Sequence, residues 1–289
     1  MPVPGGLVLV STPIGNLGDM TARGIAALKA ADLVLCEDTR VARRLLSAFG
    51  IVARLSALHE HNEERRIPAL LAALEAGRRI ALISDAGTPV LSDPGFRLVR
   101  AAVAAGLPVS AVPGPSAAVM ALTISGLPPS PFLFLGFPPP RAAARRAAFA
   151  RVAGWERAGL RASLVWHEAP HRLAAMLGDL FSVFGAREAA VARELTKRFE
   201  EVRRGTLVAL AEHYREAPAR GEVTLVVGPA AAEAAPGAAE DAAAGIEARL
   251  KAALAKGMSV KEAVAAVTAE TGAKRREVYA AALALKDTA

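Results

Sequence analysis

Cysteine is nearly absent from this sequence of 289 residues, which contains only Cys36. With no second cysteine, a disulfide framework and a cysteine metal site are both excluded. Long apolar runs are missing too, and the first residues lack the basic and apolar regions of a signal peptide. We therefore expect a soluble, cytoplasmic chain that has no contact with a membrane.

Two common nucleotide-binding signatures, G-x-G-x-x-G and G-x-x-x-x-G-K-[ST], are also absent. Hydride transfer on a Rossmann dinucleotide site and NTP-driven chemistry on a P-loop therefore lose their basis. His59 and His61 are spaced as metal ligands can be, but no third ligand accompanies them. We predict no metal site.

What the sequence does contain is apolar surface and positive charge. Hydrophobic residues make up 53 % of the chain, which is ample for a sizeable core. Lysine and arginine outnumber aspartate and glutamate by 35 to 28, giving a net charge of +7. This balance is compatible with a polyanionic partner, although a GC-rich genome would also enrich arginine and alanine.

Short apolar runs alternate with amphipathic helical patterns through the first 112 residues. The runs predict strands at 7–10, 32–36, 79–84 and 108–112. The helical spacing predicts helices at 21–31, 39–49, 67–77 and 95–106. This order indicates α/β units with a largely parallel sheet. A second set of strands is predicted at 162–168, 188–194 and 222–228, with helices around 170–184 and 206–214.

Composition divides the chain into two α/β domains, at 1–128 and 129–229, a linker at 230–245 and a C-terminal helical domain at 246–289. The linker is rich in alanine, proline and glycine and lacks large apolar residues. The last domain is predicted to hold helices near 246–256, 259–271 and 273–286. Ser259 and Glu262 form a capping box, and Gly272 is placed to end the second of these helices.

Three loops with unusual turn chemistry follow the first, third and fourth predicted strands. They read STPIGNLGD (11–19), DAGTPVLSDPG (85–95) and PGPSAA (113–118). Glycine lets a backbone approach a ligand closely, and proline fixes the shape of a loop in advance. Each loop alone could be an ordinary tight turn. Because ligands bind at the carboxyl ends of such strands, the three together predict a ligand site.

These loops resemble those of the tetrapyrrole methylase superfamily, and more closely those of its ribosomal RNA small subunit methyltransferase I branch. Four further segments resemble that branch in the same order: CEDTR (36–40), ALHEHNE (57–63), HEAPHR (167–172) and ARELTK (192–197). The resemblance covers about residues 7–228, and the helical tail resembles the C-terminal extension of the branch. It implies two α/β domains with S-adenosylmethionine in the cleft between them, and a homodimer. The implied substrate is the 2′-hydroxyl of a cytidine in the decoding region of 16S rRNA, in the small ribosomal subunit.

The resemblance also implies which residues contact the cofactor. They lie in the three loops: Pro13, Ile14, Gly15, Asp85, Ala86, Gly87, Thr88, Leu91, Ser116 and Ala117. The porphyrin-modifying relatives typically carry G-D-P in the second loop, where this chain reads G-T-P. No carboxylate contact is therefore transferred to Thr88.

Methyl transfer to a ribose hydroxyl requires a group that takes up the proton. The candidate side chains are those of Glu37, Asp38, Arg40, His59, Glu60, Asp93 and Glu168. We select Asp38 and Arg40 as catalytic, because they follow the second predicted strand and emerge at the same sheet edge as the cofactor loops. In the alternative, Asp38 caps the next helix and Arg40 is its ion-pair partner.

Segment 141–161 contains six arginines, with Phe149 and Trp155 between them. Such a segment can neutralise RNA phosphates while an aromatic ring offers a stacking face, so we predict RNA contacts for Arg145 and Arg146. The alternative is a solvated helix face.

Two further groups of basic residues are predicted to bind RNA. Arg193 and Lys197 either position phosphate or form a surface ion-pair network. Lys274, Arg275 and Arg276 fall in the first turn of the last predicted helix, where the helix macrodipole disfavours positive charge. Their position suggests a phosphate ligand, with packing in a dimer as the alternative.

Two other functions remain open at this point. A tetrapyrrole C-methyltransferase would need an apolar cleft of porphyrin size, and the arginine-rich segment and the tail speak against it. A non-catalytic RNA-binding factor in ribosome assembly would retain the fold, but complete cofactor loops argue against it.

Overall fold

The computed structural model describes residues 6–230, 238–255, 258–271 and 275–287. The described residues up to 230 form one compact unit, and those from 238 onward form another. The first unit contains two five-stranded sheets with their helices, and the second contains three helices. The predicted fold class, two α/β domains followed by a helical region, is confirmed.

The first sheet is parallel throughout, with the strand order β3-β2-β4-β1-β5. Its strands are β1 Gly6–Val10, β2 Leu33–Cys36, β3 Leu55–Ala57, β4 Arg79–Leu82 and β5 Val109–Val112. The helices of this part are α1 Ala22–Ala30, α2 Thr39–Ala48, α3 Glu63–Glu75, α4 Phe96–Ala104 and α5 Ala117–Ile124. Because every strand runs in the same direction, the loops after β1, β4 and β5 emerge at one edge.

Alternation along β1 divides the apolar residues between two cores. Val8 and Val10 pack with α1 and α2, whereas Leu7 and Leu9 pack with α3 and α4. Successive side chains of a strand point to opposite faces of the sheet. Because helices cover both faces here, side chains on both faces are apolar, which gives the continuous apolar run seen in the sequence.

Three elements of this part differ from the sequence prediction, and one of them is helix α5, which was not predicted. Strand β3 was not predicted, because Leu-Ser-Ala contains no β-branched or aromatic residue. Helix α3 begins at Glu63, four residues before the predicted start at 67, within a polar turn that shows no apolar spacing. The carboxylate of Glu63 is buried and accepts a hydrogen bond from the backbone N–H of Leu98 at 2.9 Å.

The second sheet is mixed, with the order β6-β7-β10-β8-β9. Its strands are β6 Phe132–Phe134, β7 Ser163–Glu168, β8 Glu188–Arg193, β9 Glu201–Thr206 and β10 Val223–Val227. Only β6 and β7 pair in parallel; the other pairs are antiparallel. Helices α6 Ala142–Arg157, α7 Leu173–Phe184 and α8 Leu207–Glu216 belong to this part. Strand β9 was not predicted, since its sequence EVRRGT is mainly polar.

One apolar cluster joins the two α/β parts. Ile14 of the first loop and Ala121 of α5 pack with Val165 and Val226 of the second sheet. This contact holds the first loop and the start of α5 against the second sheet. The ends of the two sheets therefore enclose the space between them.

The helices of the second unit are α9 Ala238–Ala255, α10 Val260–Thr271 and α11 Arg275–Asp287. Helix α9 begins inside the segment predicted as the linker 230–245, because an alanine-rich stretch favours helix even without large apolar residues. The capping box is confirmed: the N–H of Ser259 donates to the Glu262 carboxylate at 2.9 Å, and the N–H of Glu262 donates to the Ser259 hydroxyl at 3.4 Å. Gly272 lies outside the described residues. No helix in the described ranges is long and apolar enough to cross a membrane.

Candidate active site

Hydrogen bonds join the three loops at the carboxyl edge of the first sheet. Thr12 and Gly87 exchange two backbone hydrogen bonds, of 2.9 and 3.1 Å, which connect the first loop to the second. The hydroxyl of Thr88 donates to the carbonyl oxygen of Pro115 at 3.1 Å, which connects the second loop to the third. Thr88 therefore links two of the loops.

The second loop adopts an unusual backbone conformation. Gly87 has a φ of 80°, and the non-glycine residues Val90 and Ser92 have φ values of 76° and 70°. A β-branched residue in this left-handed region is a genuine outlier. Each such residue costs on the order of 1–3 kcal/mol and persists where surrounding contacts over-determine it, often at a functional site.

A cavity of about 290 Å³ lies against these loops. Seven of the ten residues implied as cofactor contacts line it: Ile14, Ala86, Gly87, Thr88, Leu91, Ser116 and Ala117. Pro13, Gly15 and Asp85 are not among the lining residues. Gly15 instead packs against the aliphatic part of Lys197, and the Asp85 carboxylate accepts a hydrogen bond from the backbone N–H of Asp38 at 3.2 Å.

The opposite wall of the cavity comes from the second sheet, and most of it was not predicted. The end of β7 supplies His167 and Glu168, and the start of β10 supplies Val223 and Thr224. These ends meet because β7 and β10 are antiparallel, with Thr224 opposite His167. The sequence does contain a signal here, since a His-Glu pair ends the apolar run ASLVW, but it does not say which loops face it.

His167 is held in a fixed orientation within this wall. Its Nδ1 lies 3.1 Å from the hydroxyl of Thr224, and its ring packs against Phe134 and Phe137 at centroid distances of 5.1 and 5.5 Å. Burial lowers the pKa of His167. The imidazole is therefore neutral at neutral pH and able to accept a proton.

Glu168 is fully buried beside His167. Its Oε1 accepts a hydrogen bond from the backbone N–H of Ala169 at 2.7 Å and pairs with the Arg172 guanidinium. Its Oε2 has no hydrogen-bond partner within the described part of the chain. A buried carboxylate oxygen without a donor is costly, so this atom is a ready acceptor for a ligand.

Asp93 adds a second carboxylate to the cavity lining. Burial, together with the negative charges of Glu37 and Asp85, raises the pKa of Asp93 to about 6. The charged form is thus less favoured than in a free aspartate, and a positive group nearby would stabilise it. This chemistry suits a cationic ligand.

Asp38 and Arg40 do not line the cavity. Asp38 is the N-cap of α2, where its carboxylate accepts a hydrogen bond from the backbone N–H of Arg40 at 2.7 Å. The Arg40 guanidinium pairs with the same carboxylate at 2.7 Å, and these hydrogen bonds lower the pKa of Asp38 to about 2. The catalytic role stays a prediction, and the geometry favours the capping alternative.

The structure corrects one predicted RNA contact. Arg145 is buried and pairs with Asp179 at 2.6 Å, so its charge is neutralised and does not face solvent. Arg146 is about half exposed and contacts the same carboxylate at 3.1 Å. Phe149, predicted to lie beside the arginines as a stacking face, is also fully buried in the core.

The other predicted RNA contacts are mostly paired or only partly described. Arg193 pairs with Glu201, and Lys197 with Glu194 at 2.8 Å. In the second unit, Lys274 lies outside the described residues, Arg275 begins α11, and Arg276 is exposed. Their roles in binding RNA stay predictions. Among the described residues, no group of three His, Cys, Asp or Glu side chains is arranged to hold a metal ion.

Comparisons with known proteins agree with this arrangement. The family model of the Tetrapyrrole (Corrin/Porphyrin) Methylases matches residues 6–211, and that of the RsmI C-terminal HTH domain matches residues 239–286. The crystal structure of the methyltransferase CobJ shares the fold, with a TM-score of 0.56 and 20 % identity over 78 % of this chain and 95 % of that one.

Two relatives are similar over nearly their whole length, and both are named ribosomal RNA small subunit methyltransferase I. The protein of Mesorhizobium japonicum is 47 % identical over 99 % of this chain and 94 % of its own. The protein of Xylella fastidiosa (strain Temecula1) is 45 % identical over 96 % and 99 %. The chain therefore belongs to the tetrapyrrole methylase family, and within it to the ribosomal RNA small subunit methyltransferase I branch.

Proposed function

We propose that this chain transfers the methyl group of S-adenosylmethionine to the 2′-hydroxyl of a cytidine in the decoding region of 16S rRNA, in the small ribosomal subunit. One observation carries the proposal: residues from three separate loops, implied as cofactor contacts, line a single cavity. The names of the two relatives support small-subunit rRNA as the substrate. The cytidine and its 2′-oxygen come from the resemblance of the motifs.

The cavity fits S-adenosylmethionine in its size and chemistry. Its volume of about 290 Å³ is close to the lower limit, about 300 Å³, of the usual range for small-molecule sites. Ile14, Leu91 and Val223 supply apolar surface, and Asp93 with its acidic neighbours suits a cationic sulfonium or ammonium group. When bound, the cofactor supplies an electrophilic methyl group.

Two side chains that line the cavity are suited to take up the proton of the ribose hydroxyl. His167 is neutral because burial lowers its pKa, and Thr224 orients its ring. Asp93 has a pKa of about 6 and is mostly ionised at neutral pH. A proton acceptor works best when its pKa lies near the operating pH, and the pKa of Asp93 meets this condition. Asp38 is a weaker base, with a pKa of about 2.

The proposal also includes a cellular location and an oligomeric state. An enzyme that modifies the small ribosomal subunit works in the cytoplasm, and we propose the homodimer that the resemblance implies. Sedimentation of the purified chain at micromolar concentration tests the dimer independently of activity.

The deciding experiment measures methyl transfer from labelled S-adenosylmethionine to small ribosomal subunits that lack the modification, followed by mapping of the labelled nucleotide. A 2′-O-methylcytidine in the decoding region is the expected result. No transfer, with cofactor binding intact, would favour a non-catalytic assembly factor. Transfer to a tetrapyrrole and not to rRNA would favour the C-methyltransferase.

A further inference from the structure

A groove of about 230 Å³ lies beside the cavity and shares Phe137 with it. One wall consists of Phe137 and the two prolines that follow it, and the other consists of side chains from α6. The buried rings of Phe149 and Trp166 form part of its floor. This aromatic groove therefore adjoins the proposed methyl-transfer site at Phe137.

The groove is built by features that fix its shape. Ala148, Arg151, Val152 and Trp155 line it at the spacing of one face of a helix. Prolines have a restricted φ, so the wall that follows Phe137 is rigid before any ligand binds. Beneath it, the rings of Phe149 and Trp166 pack edge to face at 5.5 Å. A preformed groove orders few groups on binding, which favours affinity.

Two large aromatic side chains remain exposed at this groove. Phe137 is 57 % exposed and Trp155 is 48 % exposed. Both rings offer apolar surface to a flat ligand. The volume of the groove is smaller than that of a usual cofactor site. Stacking on such rings is a common way in which proteins hold unpaired bases.

Part of the free positive charge of α6 is also found at the groove. Arg145 and Arg146 share the carboxylate of Asp179, so little of their charge is available to a ligand. Arg151 is exposed, lines the groove, and makes no ion pair within the described ranges. A free guanidinium beside an exposed indole is complementary to a phosphate joined to a base.

We propose that the aromatic groove binds an unpaired nucleobase of the RNA substrate, adjacent to the nucleotide that enters the cavity. The base stacks on Trp155, and Arg151 contacts the phosphate. Phe137 separates the two bound nucleotides, because it lines both the groove and the cavity. This inference rests on the proposed function for its choice of ligand, since the groove lies next to the cavity that would hold the reacting nucleotide and shares Phe137 with it.

The test uses hexacytidylate, a single-stranded RNA, and the fluorescence of the intact chain. The chain has two tryptophans, and Trp166 is buried, so Trp155 is the one that a base can reach. We expect the RNA to quench Trp155 fluorescence and Trp155→Ala to weaken binding about tenfold, as stacking contributions allow. Trp155→Phe retains a ring and should recover most of the affinity. Phe181→Ala, which removes an exposed ring outside the groove, should change nothing.

The affinity for S-adenosylmethionine should be unchanged in Trp155→Ala, because Trp155 does not line the cavity. Failure of hexacytidylate to bind the natural chain, or equal binding by Trp155→Ala, would overturn the inference. So would a Trp155→Ala variant that dissociates a dimer while retaining its RNA affinity, since the groove would then be an interface between copies. If Trp155-dependent binding occurs but rRNA receives no methyl group, the proposed function fails and the groove stands.

Discussion

The hydroxyl of Thr88 donates a hydrogen bond to the carbonyl oxygen of Pro115 at 3.1 Å. Thr88 lies in the loop after β4, and Pro115 lies in the loop after β5. The bond therefore connects two of the three loops that line the cavity, and the Thr12–Gly87 backbone pair connects the third. Cofactor binding should depend on these links because they set the relative positions of the loops.

Replacement of Thr88 by valine keeps the side-chain shape and removes this hydrogen bond. A hydrogen bond of this kind contributes about 1 kcal/mol, so we expect the affinity for S-adenosylmethionine to fall about fivefold. Titration calorimetry measures the change. Thr88→Ser keeps a hydroxyl and serves as the control. Equal affinities of the natural chain and Thr88→Val would contradict a role for the link.

Gly87→Ala should abolish tight cofactor binding, because its methyl group would lie 3.3 Å from the side chain of Ile14, which lines the cavity with Gly87. Gly106→Ala is the matched control: both glycines have positive φ, of 80° and 69°, but no atom lies within 4 Å of a methyl group at Gly106. Both variants should lose about 1–2 kcal/mol of stability from the left-handed backbone. The assignment of the site fails if both bind the cofactor equally well.

Asp93→Asn should alter stability in a pH-dependent way. The pKa of Asp93 is raised to about 6 from an ordinary value of 3.8, so its stabilising contribution is complete below pH 3.8 and lost as the pH rises through 6. The variant should therefore gain about 1 kcal/mol over the natural chain at pH 7.5, a modest figure because partial exposure screens the charge. Near pH 4 the gain should vanish. Urea unfolding at the two pH values measures it.

Asp38→Asn is the opposite-sign control for that experiment. Hydrogen bonds from Arg40 lower the pKa of Asp38 to about 2, so its contribution is present above pH 3.8 and lost as the pH falls through 2. This variant should lose stability at neutral pH. A gain at pH 7.5 in both variants would indicate a general effect of net charge instead of the local environments.

Arg145→Ala should destabilise the chain without weakening its binding to RNA. The variant leaves Asp179 without its buried partner, and breaking a buried ion pair costs about 3–5 kcal/mol. Arg146→Ala removes an exposed partner of the same carboxylate and should cost under about 1 kcal/mol. Thermal unfolding and RNA binding are measured for both. A loss of RNA affinity in Arg145→Ala, at unchanged stability, would restore the original prediction for this residue.

Features that depend on near neighbours in the chain could be predicted from the residues alone. The alternation of apolar runs with helical spacing predicted the parallel sheet, because period and length distinguish strands from helices. Glycine and proline placed after β1, β4 and β5 identified the three loops. The spacing of Ser259 and Glu262 predicted a capping box, which the structure contains. All of these patterns operate over a few residues.

Contacts between residues far apart in the chain could be identified only after folding brought them together. His167 faces the three loops that line the cavity because β10 pairs antiparallel with β7 and one face of this sheet packs against α5 and Ile14. Arg145 is buried and pairs with Asp179, which lies 34 residues away in the sequence. Arg151 makes no ion pair within the described ranges, because Asp179 lies beside Arg145 and not beside Arg151. Neighbours along the chain have similar local composition but different environments after folding, since burial and charge pairing depend on elements brought together from far apart in the sequence.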